Sequence, residues 1–212
     1  MSVAPSCPLA PSLALAILAA AIATSPAAAQ SPGPVLSCAG PLAADASHAA
    51  VLAAFGEKNV VWREVDGAEG EKIGATVLFP DDPKRRIELF WADEEKRAGL
   101  ASAHPGRANR AAAPNGVRPG MTVAEVEKLN GRAFRLSGFG WDYGGAVTDW
   151  KGGALAKPAP GGCVVSVRFR LAEGADVVAA RVAGDREFAS NDPKIRAAKP
   201  FVESIAIGWP RP

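Results

Sequence analysis

Two aspartates, Asp142 and Asp149, are the residues whose types and spacing could do chemistry. A pair of carboxylates can act as acid and base in the hydrolysis of a glycosidic bond. Trp141 and Tyr143 flank Asp142 and could serve as platforms for sugar rings. The sequence therefore supports one enzyme hypothesis, a carbohydrate-active hydrolase that uses Asp142 and Asp149. The alternative is that both carboxylates are surface charges, which is the commoner role of such residues.

Other patterns that carry chemistry are missing from the sequence. The two histidines, His48 and His104, lie in different segments, and no cysteine pair has metal-ligand spacing. There is no nucleophile elbow of the Gly-x-Ser-x-Gly type and no phosphate-binding loop. We therefore predict no metal and no cofactor.

The same stretch also supports a binding hypothesis. Residues 139–145 contain three aromatic rings, one carboxylate and three glycines, including the only tyrosine of the chain. Trp and Tyr are common anchors of protein interfaces. We predict a surface that contacts an envelope or extracellular protein or peptide, formed by Phe139, Trp141, Asp142, Tyr143 and Trp150. The alternative, that these rings fill the core, stays open at this point.

The neighbouring residues indicate how this stretch is positioned. Residues 133–137 and 146–150 have the composition of strands, and Gly144-Gly145 suits a tight turn between them, which predicts a β-hairpin with rings at its tip. Upstream, Thr122 and Glu125 form a capping box that begins a helix, and Gly131 ends it. Further strands are predicted at residues 60–65, 74–79, 86–91, 163–171 and 201–209.

The first half of the chain repeats this order of elements. Ser47 begins a helix that Gly56 ends, and aligning Ser47 with Thr122 also aligns Gly56 with Gly131. We predict an α+β fold of two helix-plus-antiparallel-sheet units. The two units could form a tandem repeat that shares one layered core. The first unit spans residues 30–95, an exposed and mildly basic linker spans 96–119, and the second unit spans 120–212.

The first residues have the pattern of an export signal. An apolar run at residues 13–23 is followed by Ala27 and Ala29, which suit cleavage after residue 29, although no Lys or Arg precedes the run. The run is shorter than the roughly 20 residues that cross a bilayer. We expect a signal peptide at 1–29 and a periplasmic or secreted chain without a transmembrane segment. The net charge of +2 is too small to indicate nucleic acid as a partner.

Two cysteines remain after such cleavage, Cys38 and Cys163. An even number in an oxidising compartment predicts a disulfide between them. The alternative is lipidation of Cys38, since residues 35–38 loosely resemble a lipobox.

Residues 120–131, with the sequence GMTVAEVEKLNG, resemble the opening helix of SmpA/BamE-like proteins and of β-lactamase-inhibitor-type modules. The resemblance implies helices packed on one face of an antiparallel sheet, and a role in protein contact instead of catalysis. The wider segment from Val77 to Gly145 is similar to uncharacterised secreted bacterial proteins, which implies no activity. Tandem inhibitor modules carry more disulfides, so inhibition of a β-lactamase is not implied.

Overall fold

The computed structural model describes Met1 and residues 34–67, 70–174 and 179–209. The signal peptide predicted at residues 1–29 lies outside them, apart from Met1. In chain order the elements are α1 (His48–Phe55), β1 (Val60–Asp66), β2 (Lys72–Leu78), β3 (Ile87–Asp93), β4 (Ala98–Pro105), α2 (Val123–Asn130), β5 (Arg135–Ser137), β6 (Val147–Asp149), β7 (Val164–Arg170), β8 (Glu187–Ala189), α3 (Pro193–Ala198) and β9 (Phe201–Gly208).

The strands form two antiparallel sheets. The larger has six strands in the order β1-β2-β3-β4-β9-β7, and the smaller has three in the order β6-β5-β8. Along β7, Val165, Val167 and Phe169 are buried while the alternate residues face outward, which is the period of two that the sequence predicts. The predicted α+β fold with antiparallel sheets is confirmed.

The prediction of an exposed linker at residues 96–119 is wrong for β4. This strand lies inside the larger sheet between β3 and β9, with Leu100 only 2% exposed and Ala103 fully buried. Its residues are mostly Ala, Ser and Gly, which have little preference for strands, so its place in the sheet depends on its neighbours. Strands from both predicted units thus belong to one sheet, in which β4 joins them. After α1, strands β1 to β4 pair in chain order as an antiparallel meander. The strands after α2 instead divide between the two sheets.

α1 and α2 begin and end at the residues that the sequence indicates. The Ser47 side chain accepts a hydrogen bond from the Ala50 N–H at the start of α1. Thr122 and Glu125 complete the capping box of α2, with the Thr122 N–H donating to the Glu125 carboxylate at 2.7 Å. The sequence does not predict α3. Asp192 caps that helix, and Arg196 pairs with Glu127 of α2 at 2.7 Å.

The cysteines lie where the disulfide prediction places them. Cys38 and Cys163 are at bonding distance, with Cα atoms 5.9 Å apart, and both are buried. A sulfur in this bond cannot also carry a lipid, which argues against lipidation of Cys38. Within the described ranges, no helix combines the length and the apolar character needed to cross a bilayer.

A buried polar network links α1 to the larger sheet. Thr76 is fully buried, its Oγ1 accepts a hydrogen bond from the Trp91 indole N–H at 2.9 Å, and the same oxygen lies 2.8 Å from Nδ1 of His48. Because Trp91 already donates to Thr76, the Thr76 hydroxyl proton is free to bond a neutral imidazole. Burial and the nearby charge of Arg97 lower the pKa of His48.

This network makes stability depend on pH. Because the folded-state pKa of His48 is lowered, neutral His48 contributes to the free energy of unfolding. This contribution is fully present above the unfolded-state pKa of about 6.5, and it is lost as pH falls through the lower folded-state value. We expect His48→Asn to flatten the decline in the free energy of unfolding between about pH 7.5 and pH 5. Urea denaturation of the wild type and of His48→Asn over this pH range measures the difference. His104 is present in both proteins, so its titration affects both curves alike. Parallel curves would contradict the role given to His48.

Candidate functional site

The loop between β5 and β6, residues 139–145, is called the ring loop here. Its flanking strands pair antiparallel, with Arg135 opposite Asp149 and Leu136 opposite Val147. The predicted hairpin is therefore present, although its strands are shorter than the sequence suggests. Phe139 lies two residues beyond the end of β5, in the loop.

The three rings of the loop divide between core and surface. Phe139 is 6% exposed, whereas Trp141 is 38% and Tyr143 is 59% exposed. The Trp141 and Tyr143 rings meet edge to face with centroids 5.5 Å apart, and the Trp141 indole N–H donates to the Gly138 carbonyl at 3.0 Å. The core alternative thus holds for Phe139, which packs inward. The surface alternative holds for Trp141 and Tyr143, which face outward.

Backbone hydrogen bonds hold the ring loop against the segment before β8. The Phe139 N–H donates to the Val182 carbonyl at 2.8 Å, and the Gly184 N–H donates to the Phe139 carbonyl at 3.0 Å. Within the hairpin, the Ser137 hydroxyl donates to the Tyr143 carbonyl at 2.7 Å. These bonds fix the base of the loop, so the exposed rings project from a restrained backbone.

Arg168 of β7 holds the other side of the loop. Its Nε donates to the Gly144 carbonyl at 2.9 Å, and its guanidinium also donates to the Asp142 carbonyl. The next residue, Phe169, donates its N–H to the Gly145 carbonyl at 2.8 Å. A cation that donates to two carbonyls forms stronger hydrogen bonds than a neutral donor. The end of β7 therefore acts as a clamp on the ring loop.

This clamp can be tested at Arg168. We expect Arg168→Gln to lower the free energy of unfolding by about 1–2 kcal/mol, since charged hydrogen bonds are lost from a half-buried position. Amide hydrogen exchange at residues 139–145 should become faster. The control is Arg170→Gln, which changes the same face of β7 but leaves these bonds in place. Equal exchange rates in the two variants would show that Arg168 does not restrain the loop.

A cavity of about 510 Å³ lies beside the ring loop, and we call it the aromatic cavity. Its size falls within the range of small-ligand and side-chain pockets. The apolar part of its wall comes from Phe139, Trp141, Phe169, Leu171, Ala179, Ala180 and Ala183. The charged part comes from Arg168, Arg170 and Glu203. An apolar cavity with a few charged groups at its wall suits a ligand that is mainly apolar and carries a charge.

The remaining predicted residues do not line this cavity. Trp150 is half-buried and packs on Phe134 with ring centroids 5.1 Å apart, which places it with the core. Asp142 is exposed at the tip of the loop. Asp149 is also exposed, and its carboxylate accepts from the Lys151 N–H at 2.6 Å and pairs with the Lys151 ammonium at 3.1 Å.

These surroundings give the hydrolase hypothesis no support. The hydrogen bond from the Lys151 backbone and then that from its side chain lower the pKa of Asp149. The general acid of a glycosidase needs a raised pKa, as burial in an apolar site produces. In the described ranges, no three His, Cys, Asp or Glu side chains come together as a metal site.

Sequence reasoning missed Arg168 and the wall formed by residues 179–183. The alternation along β7 does place Arg168 on the outward face, but nothing local shows that this face meets the ring loop. That contact joins residues 24 and 26 positions apart.

Comparison of the chain with protein-family models, with curated proteins and with solved structures gave no match. The resemblance of residues 120–131 to SmpA/BamE-like and inhibitor-type modules therefore stays an expectation from the sequence.

Proposed function

We propose that this chain is an exported, non-catalytic interaction module of the bacterial envelope, and that the ring loop and the aromatic cavity contact a protein or peptide. One observation carries the proposal: Trp141 and Tyr143 are exposed on a loop that hydrogen bonds restrain from two sides. Neighbouring rings that form a contiguous exposed apolar patch mark interaction sites, and Trp and Tyr are enriched among the anchors of interfaces.

The energetics favour this use of the loop. A partner that covers the ring loop would remove the exposed parts of Trp141 and Tyr143 from water, and aromatic residues at the hot spots of interfaces contribute about 2 kcal/mol or more to binding. A restrained loop loses little conformational freedom when it binds, so more of that free energy remains as affinity. Arg168 and the Ser137 hydroxyl supply the restraint before any partner arrives.

Export is part of the proposal for two reasons. The apolar run at residues 13–23 and the small residues after it are typical of a secretory signal. The cysteines at bonding distance suit an oxidising compartment, where disulfides persist.

The test is capture of partners from a bacterial envelope extract by the wild-type chain and by a Trp141→Ala, Tyr143→Ala double variant. We expect at least a tenfold loss of captured partner in the double variant, because two anchors are removed. The matched control is Leu129→Ala. Leu129 is 39% exposed, about the same fraction as Trp141, but it lies on α2 and not in the ring loop. If the wild type, the double variant and Leu129→Ala capture the same partners in equal amounts, the ring loop is not the contact surface.

A further inference from the structure

A second cavity adjoins the first and has a different chemistry. It measures about 270 Å³, and we call it the arginine cavity. Its lining is Arg107, Arg110, Arg170, Glu173, Phe201, Val202 and Glu203. Arg170 and Glu203 line both cavities, so the two lie side by side, and together they are called the recess here. One end of this recess is apolar and aromatic, and the other end is rich in guanidinium groups.

Three arginines and two glutamates line the arginine cavity, so one unit of positive charge is not balanced within its described lining. Arg107 pairs with Glu203 at 3.8 Å, and the guanidinium of Arg170 lies over the Phe201 ring at 4.9 Å from its centroid. Among the residues that the structure describes, no carboxylate lies within 4.0 Å of a charged nitrogen of Arg110 or Arg170. Within the described part of the chain, Arg110 and Arg170 are thus the guanidinium groups of this cavity that have no paired carboxylate.

The chemistry of the recess selects a particular kind of ligand. A guanidinium binds a carboxylate through two parallel hydrogen bonds. The apolar wall of the aromatic cavity suits a hydrocarbon or aromatic side chain. A sugar would need hydrogen-bonding partners there, and the Arg168 guanidinium already donates to the Gly144 and Asp142 carbonyls. A peptide can offer both an apolar side chain and neighbouring carboxylates within a few residues.

We propose that this recess binds an acidic peptide segment, which places an apolar or aromatic side chain in the aromatic cavity and a neighbouring carboxylate against Arg110 and Arg170. This inference rests on the proposed function, since it names the chemical class of the partner at the same site. It adds a requirement for negative charge that the exposed rings alone do not impose.

The experiment is selection of a random peptide display library on the immobilised wild-type chain. We expect the enriched peptides to carry Asp or Glu beside Leu, Phe or Trp. Synthetic copies should bind Arg110→Gln about tenfold more weakly than wild type, since one charged contact is lost. The matched control is Arg63→Gln, which removes the same charge from an exposed position on β1, at the opposite edge of the sheet. This control should bind like wild type.

The possible failures are distinguishable. Enriched peptides that are neutral or basic, or acidic ones that bind Arg110→Gln as tightly as wild type, would overturn the acidic-peptide inference. The proposed function would survive either result if those peptides lose affinity for the Trp141→Ala, Tyr143→Ala variant. A library that yields no enriched peptide on wild type would overturn the acidic-peptide inference, and capture from the envelope extract would then decide the proposed function separately.

Discussion

Replacing Gly145 by alanine is expected to lower the free energy of unfolding by about 3–4 kcal/mol. Gly145 has a φ of +76°, a conformation that residues with a Cβ rarely adopt. An added Cβ would also collide with the carbonyl oxygen of Phe169 and would lie 2.9 Å from Cε1 of Phe139. The carbonyl belongs to β7, so it cannot move without disturbing the sheet.

Gly140 provides the matched control for this substitution. It belongs to the same loop and has a φ of +83°, but an added Cβ would meet no atom within 4 Å. Gly140→Ala should therefore cost only the conformational penalty, about 1–2 kcal/mol. Chemical denaturation measures both variants against wild type. Equal losses would mean that the close approach of the ring loop to β7 does not contribute to stability.

Removal of the Cys38–Cys163 disulfide is expected to cost about 4 kcal/mol, because the bridge closes a long loop and restricts the unfolded chain. The two residues are 125 positions apart, which puts the bond among those with a large expected entropic effect. The variant for the measurement carries Cys38→Ala and Cys163→Ala, and its midpoint of thermal unfolding is compared with that of the oxidised wild type.

A reducing agent supplies the control for the disulfide experiment. Dithiothreitol should lower the midpoint of the wild type towards that of the double-alanine variant, and it should leave the variant unchanged. If the oxidised wild type and the variant unfold at the same temperature, the pair does not stabilise the fold.

Local features of the sequence predicted much of the secondary structure. The capping box of Thr122 and Glu125 and the glycine stops at Gly56 and Gly131 are short-range devices, and each is found where it is predicted. The alternation along β7 depends only on burial of one face, so it too can be read without knowing the partner strands. In β9 the alternation is interrupted, because Val202 is buried in place of Phe201 where the pairing with β7 shifts register.

The arrangement of strands could not be predicted in the same way. β4 lacks β-branched residues, and its place in the sheet follows from pairing with β3 and with the last strand of the chain. α3 was missed because only six residues form it, too few for a periodic pattern. Pairing between distant segments depends on the whole fold, and local composition does not encode it.

The candidate site was predicted in part for the same reason. Glycine and aromatic content identify the ring loop, but the sequence does not separate a buried Phe139 from an exposed Tyr143. The clamp from Arg168 and the recess shared by Arg170 and Glu203 exist only once β7 and β9 lie beside the loop.

The most direct test of this account is the backbone mobility of the ring loop in the free protein, measured as NMR order parameters of its amides. The loop N–H groups of Phe139, Gly144 and Gly145 all donate to backbone carbonyls, at 2.8, 2.9 and 3.1 Å. We therefore expect order parameters of about 0.85 at these amides, equal to those of the sheet. Values below about 0.6 would show a flexible loop and would contradict the preformed contact surface proposed here.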